Sequence, residues 1–162
     1  MKIRTATEAD HDAILEMFHE IISAGDVFAF EPNMSREDVV AFWLGTGKHT
    51  YVAAQDGRVC GSYYIKRNGE GGGSHVANAG YMVSADARGK QIGYAMGEHS
   101  LAEARRLGFR AMQFNFVVST NEAAIRLWKK LGFEIVGTLP GAFRHPRQGL
   151  VDVYVMFRSL MN

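Results

Sequence analysis

Apolar residues recur along this chain with two periods, and the period changes mark its elements. Residues 2–5 read as a short strand. Ile14, Met17, Phe18, Ile21 and Ile22 then repeat at helical spacing and give one apolar face. Thr7 is placed to cap that helix, Asp10 three residues on is placed as a capping-box acid, and Gly25 ends it. Ser35 and Asp38 open a second helix that carries Val39, Val40, Phe42 and Trp43. Residues 50–54 and 58–66 are extended runs, and Asp56-Gly57 between them signals a two-residue hairpin turn. Residues 76–83 form a further strand, followed by a long helix that reaches about Leu107 and stops at Gly108. Residues 110–118 are extended again. Ala124, Leu127, Trp128 and Leu131 share a helix face that starts at Thr120 or Asn121 and stops at Gly132. Residues 133–137 and 151–157 are the last strands, with 138–150 a polar arm between them. The order is strand, two helices, three strands, helix, strand, helix, two strands: one mixed α/β domain without repeat or linker.

Composition narrows the function classes. The 162 residues are 47% hydrophobic and 22% charged, enough for a real core. A net charge of +1 gives no broad field for nucleic acid or an anionic membrane. No leader-like stretch and no apolar run of membrane length occurs, so a cytoplasmic protein is expected. Cys60 is alone, excludes an internal disulfide, and reads as a packed thiol within an apolar strand. No His/Cys/Asp cluster has metal spacing, and no metal is expected.

Several side chains sit where chemistry is plausible. Arg88, Gly89, Lys90, Gln91, Gly93 and Tyr94 lie where strand gives way to helix, and a helix start offers unpaired N–H groups to an anion. Gly89 and Gly93 carry no Cβ and permit close approach. Asn78 shares its strand face with Gly80 and Met82. Strand alternation puts Met112, Phe114, Phe116 and Val118 on one face of residues 110–118, and Gln113 and Asn115 on the other. Both strands are expected to be central and covered on both faces, where an unpaired amide costs roughly 1–3 kcal/mol. Each asparagine therefore needs a partner, either a substrate or a backbone group where the sheet splays. Phe28, Phe30 and Glu31 read equally as a lid over a small-molecule site or as filling between helices. Arg144 and Arg147 suit an acceptor carboxylate and His145 a proton near neutral pH; a solvated hairpin tip is the alternative. Glu31 and His145 are the candidate bases. The run 68–74 lacks a Lys-Ser/Thr ending and reads as a mobile glycine-rich loop.

Two motifs carry a family resemblance. Residues 88–93, Arg-Gly-Lys-Gln-Ile-Gly, resemble the Arg/Gln-x-x-Gly-x-Gly/Ala pyrophosphate turn of the GCN5-related N-acetyltransferases (GNAT). Gln91 stands where the middle glycine is usual; helical φ/ψ is expected there, because the turn binds through backbone N–H groups. Residues 121–133 resemble the family's second signature, Asn-x-x-Ala-x-x-Leu-Tyr-x-Lys-Leu-Gly-Phe. The resemblance implies a central, mostly antiparallel sheet of about seven strands, splayed at the middle and flanked by about four helices. It also implies acetyl-CoA as cosubstrate and transfer of its acetyl group to an amine. Tyr81, Met82 and Val83 would pair with the pantetheine through their main chain. Asn121 would contact the pantetheine, with a capping box from Ser119 and Glu122 leaving it free. Trp128 stands where many relatives have the tyrosine that protonates the thiolate, so a water or Tyr154 would take that role. The run 115–121 with Asn78 upstream resembles acetyltransferases of azetidine-2-carboxylate and related proline analogues. That makes Asn78 and Asn115 catalytic, acceptor-side residues, and the expected partner a small-molecule amine, with no nucleic acid or membrane. A homodimer, a protein N-terminal or lysine acceptor, and a non-catalytic acetyl-CoA-binding domain stay open.

Overall fold

Seven strands make one sheet in the order β1-β2-β3-β4-β5-β7-β6, in a computed structural model that describes all residues from Met1 to Asn162. The strands are β1 (Lys2–Thr5), β2 (His49–Gln55), β3 (Arg58–Arg67), β4 (Val76–Val83), β5 (Ala111–Val118), β6 (Glu134–His145) and β7 (Gly149–Ser159). The helices are α1 (His11–Ala24), α2 (Arg36–Leu44), α3 (Ile92–Arg106) and α4 (Glu122–Lys130). Every neighbouring pair is antiparallel except β4 with β5. No helix is long and apolar enough to cross a membrane.

Local chemistry accounts for the element ends. The Asp10 carboxylate accepts from the Thr7 N–H at 2.8 Å, closing the entry to α1, and Gly25 ends that helix at φ +69°. Ser35 caps α2 by accepting from the Asp38 N–H at 3.1 Å. Asp56 and Gly57 both have positive φ, as a two-residue turn with right-handed strand twist requires.

Strand alternation sorts the core into two layers. Tyr51, Tyr63, Ile65, Ala77, Met112 and Phe114 face α3 and α4, while Val52, Tyr64 and Met82 face α1 and α2. Tyr63 and Tyr64 thus point to opposite faces. On the buried face of α2, Trp43 is 1% exposed, yet its indole N–H donates to the Ser62 hydroxyl at 2.9 Å, which donates on to the Tyr51 carbonyl at 2.8 Å. A buried polar group with a partner costs little, so tryptophan is tolerated at this depth.

Two expectations about strands need correction. The polar arm 138–150 is no loose arm: β6 continues to His145 and returns tightly into β7. Irregular register between Leu139 and Phe143 blurred its alternation. In β5 a bulge between Phe114 and Val117 breaks the alternation. Phe116 is therefore 39% exposed, and Val117 takes the core place.

Candidate active site

The parallel pairing of β4 with β5 lasts only through Val76–Ala111 and Ala77–Met112. Beyond it the strands part, while β4 stays paired with β3 up to Val83. Antiparallel partners alternate between hydrogen-bonded and open pairs. The Asn68 N–H donates to the Val76 carbonyl and the Ser84 N–H to the Cys60 carbonyl, so the even residues of β4 bond β3. The main-chain groups of Ala79, Tyr81 and Val83 consequently face the gap. Of the three residues expected to pair with the pantetheine, Tyr81 and Val83 present backbone to the cleft. Met82 does not: its backbone is spent on β3, and its side chain is core at 2% exposed.

Asn78 sits at the apex of the gap, 9% exposed, and its Nδ2 donates to the Gln113 carbonyl at 3.0 Å. Gln113 Nε2 donates to Asn115 Oδ1 at 2.9 Å, and Asn115 Nδ2 to Asn68 Oδ1 at 2.7 Å. One network therefore links Asn78, Gln113, Asn115 and Asn68 on the α1/α2 side. Asn115 is exposed, contrary to the expectation of a buried amide, because the bulge lies at its position and the strands have already separated. The backbone alternative is realised for Asn78. Gln113, which alternation placed on the face of Asn115, belongs to the constellation, and so does Asn68, which lies beyond the end of β3 where no strand pattern marked it.

At the other end of β4, the turn into α3 has the backbone of an anion site. Gly89 has φ +77°, and the N–H groups of Gly89, Gln91, Ile92, Gly93 and Tyr94 have no protein acceptor. The Arg88 and Lys90 N–H groups, in contrast, reach the Ala85 and Ala87 carbonyls at 3.4 Å. The Arg88 and Lys90 side chains are exposed and make no ion pair. Gln91 is the clearest correction: φ +61° and ψ 15° put it in the left-handed region, not the helical one. The fold demands the conformation that the usual glycine adopts freely, and glutamine adopts it with strain. Gly93 has an ordinary φ and packs toward α4: a Cβ there would lie 3.3 Å from Leu127 Cδ2. Tyr94 is half-buried, with the Lys130 ammonium 4.5 Å from its ring centre.

The flanking residues divide. Asn121 is the N-cap of α4, its Oδ1 accepting from the Ala124 N–H at 3.3 Å, which leaves Nδ2 free. The expected Ser119–Glu122 box does not form; Glu122 lies 3.8 Å from Arg126 instead. Trp128 is 8% exposed and packs on Tyr81 and Phe114, each 4.7 Å away between ring centres. The Tyr81 hydroxyl meets Ser100 Oγ at 2.7 Å, and burial pushes its pKa up. Tyr154 lies on β7 opposite Val117, with its ring against the α3/α4 core layer.

The aromatics of the α1–α2 connection fill space between helices: Phe30 lies 5.3 Å from Phe18 and 4.6 Å from Phe42, centre to centre. Glu31 is exposed. Arg144 is exposed on β6. His145 is 5% exposed, not solvated, and its Nδ1 accepts from the N–H groups of Arg147 and Gln148 at 3.1 and 3.2 Å. That holds the β6–β7 turn and occupies the nitrogen a base would use. No group of three or more His, Cys, Asp or Glu side chains is placed to hold a metal ion.

Known proteins share this fold. A GCN5-related N-acetyltransferase from Kribbella flavida superposes with a TM-score of 0.94 at 44% identity, over 98% of this chain and 96% of that one. A phosphinothricin acetyltransferase from Sinorhizobium meliloti, solved with acetyl-CoA, matches with a TM-score of 0.87 at 25% identity, over 98% and 87%. Among curated sequences, the N-acetyltransferase aca1 of Schizosaccharomyces pombe is 41% identical over 96 residues, 59% of this chain and 46% of that protein. The chain spans less than half the length of the curated relatives it matches. The model of the Acetyltransferase (GNAT) family matches residues 15–133. With its parted β4 and β5, its open turn before α3 and that match over most of its length, the chain belongs to the GNAT acetyltransferase family.

Proposed function

We propose that this chain transfers the acetyl group of acetyl-CoA to the amine of a small molecule, an amino or imino acid. The observation that carries the reading is the gap between β4 and β5, where Tyr81 and Val83 offer unpaired main-chain groups and five unpaired N–H groups open α3. The residues present fit the cosubstrate. The turn Gly89–Tyr94 suits a diphosphate through backbone N–H groups and the positive end of α3. An extended pantetheine would add to β4 like a short strand, with Asn121 Nδ2 free to donate to it. Acetyl-CoA supplies an activated thioester carbonyl.

The chain's own groups then bind and orient. A cleft-facing N–H of Tyr81 or Val83 polarises the carbonyl, a contribution typically of ~2.7–4 kcal/mol for one donor. Asn78 fixes the apex, and the Gln113–Asn115–Asn68 network presents amide groups to the acceptor side. The attacking nitrogen gives its proton to water held there. Trp128, packed in the core and with a hardly acidic N–H, is a wall of the cleft; water or Tyr154 protonates the departing thiolate.

Incubation with acetyl-CoA and a panel of free amino and imino acids tests the reading, with thiol release and product mass as readouts. One N-acetylated product per thiol released supports it. Transfer only to peptide N-termini or lysines would replace the acceptor, and CoA binding without transfer to any amine would make the chain a sensor.

A further inference from the structure

Outside the residues so far assigned, one cavity gathers lysines that have no counter-charge. Lys48, in the connection from α2 to β2, is half-buried, its ammonium 3.8 Å from the Phe42 ring centre and 4.9 Å from that of Tyr64. Lys66 is on the same face of the sheet, directly opposite Asn78 in the β3–β4 register. Neither lysine has a carboxylate within ion-pair distance, and the nearby Glu70 is turned to Arg67 at 3.8 Å. A cavity of about 820 Å³ opens here, with Lys48, His49, Lys66, Arg67 and Asn68 in its wall and Glu70 its single acid. Burial, and then the charge of Lys66, push the Lys48 ammonium down to about 8, so the two lysines lie within each other's field.

Two half-sheltered cations without a counter-ion raise the free energy of the empty site, and an anionic ligand offsets that. The diphosphate of the cosubstrate is excluded as that anion. Lys66 stands opposite Asn78, about 17 Å along β4 from the strand's end at Val83, and the turn into α3 lies beyond that end. The Asn78–Gln113–Asn115–Asn68 network, however, ends in the wall of this cavity at Asn68.

We propose that Lys48 and Lys66 bind the carboxylate of the acceptor, so that the enzyme selects free amino or imino acids over uncharged amines. This rests on the small-molecule reading above and sharpens it. It also moves carboxylate recognition from Arg144, exposed on β6, to two residues that no sequence motif marked. Lysine is suited to such a site as a compact charge, with Asn78 beside Lys66 to register the amine.

The test is a steady-state comparison of matched acceptors, each amino or imino acid against its own amide, with wild type, Lys66→Gln, Lys66→Arg and Lys48→Gln. In wild type, kcat/KM should favour the free acid about ten-fold or more, the scale of one charge-assisted contact. Lys66→Gln should raise KM for acids about ten-fold while KM for amides and for acetyl-CoA stays within about two-fold, and Lys66→Arg should recover most of the loss. Lys48→Gln should act in the same direction, with thermal unfolding checking its fold. Acids and amides used equally well, or KM raised equally for both, overturns the carboxylate site and leaves transfer intact. Acetylation of no member of the panel overturns both readings.

Discussion

Asn78 and Gln113 occupy the first opposed position past the last β4–β5 pair, and the Asn78 side chain there replaces the missing rung, donating to the Gln113 carbonyl at 3.0 Å. The carbonyl points into the gap and would otherwise lose its partner just where the strands separate. A side-chain amide at this place lets the sheet open without leaving a buried acceptor unpaired.

Asn78→Ala should lower stability by about 1–2 kcal/mol, through the unpaired carbonyl, and lower kcat by ten-fold or more. Asn115→Ala, at an exposed bulge, should cost under about 0.5 kcal/mol and act on the KM of the acceptor. Thermal unfolding and steady-state kinetics on both variants check this. Equal stability losses would mean that the two amides do the same structural work.

Gln91→Gly should stabilise the fold by about 0.5–1 kcal/mol, because the left-handed φ of +61° suits glycine and strains glutamine. Affinity for CoA should hold or rise, since the turn offers its backbone. Gln91→Val should be less stable than wild type, as a β-branched residue tolerates that region worst. Chemical denaturation with a CoA titration measures both. A destabilised Gln91→Gly would mean that the glutamine side chain earns its place.

Stability should fall in acid through Asp10. Its carboxylate receives Arg4 at 2.7 and 2.9 Å and the Thr7 N–H at 2.8 Å, and chiefly the Arg4 hydrogen bonds hold its pKa down to about 2, below the ordinary 3.8. A depressed carboxylate contributes stability that is full above its unfolded value and is lost as pH falls toward the folded one. The contribution is about 1–2 kcal/mol, discounted because Arg4 is partly in solvent. Asp10→Asn should be less stable by that amount at pH 7 and should flatten the melting curve between about pH 4 and 2.

The β4 backbone also needs its bare position at Gly80, where a Cβ would lie 2.7 Å from the Tyr64 ring. A ring held by Phe42 and Trp43, at 5.8 and 4.9 Å, has little room to move. Gly80→Ala should cost about 1–3 kcal/mol and lower kcat with it. An unaltered melting temperature would show the α1/α2 layer to be more yielding than its packing implies.

Much of this was legible from residue order. Helical spacing in α1 and α4 and the Asp56-Gly57 turn set the elements, and the pairing of residues 88–93 with 121–133 pointed to the family. What escaped depended on irregular backbone. The bulge at Asn115 and Phe116 exchanges inside for outside within one strand, and strict period-two reading cannot register it. Gln91 misled because the geometry of the turn, not the preference of the residue, decides φ there. Lys48 and Lys66 are 18 positions apart, and only the β2–β3 hairpin and the close of α2 bring them to one cavity.

Amide hydrogen exchange with and without CoA tests most directly whether the gap between β4 and β5 holds the cosubstrate. The Met82 and Gly80 amides, already bonded to β3, should exchange slowly in both states. The Tyr81, Val83 and Gln91–Tyr94 amides should exchange fast alone and become protected when CoA binds. Saturating CoA that leaves Tyr81, Val83 and the start of α3 exchanging as before would contradict the account.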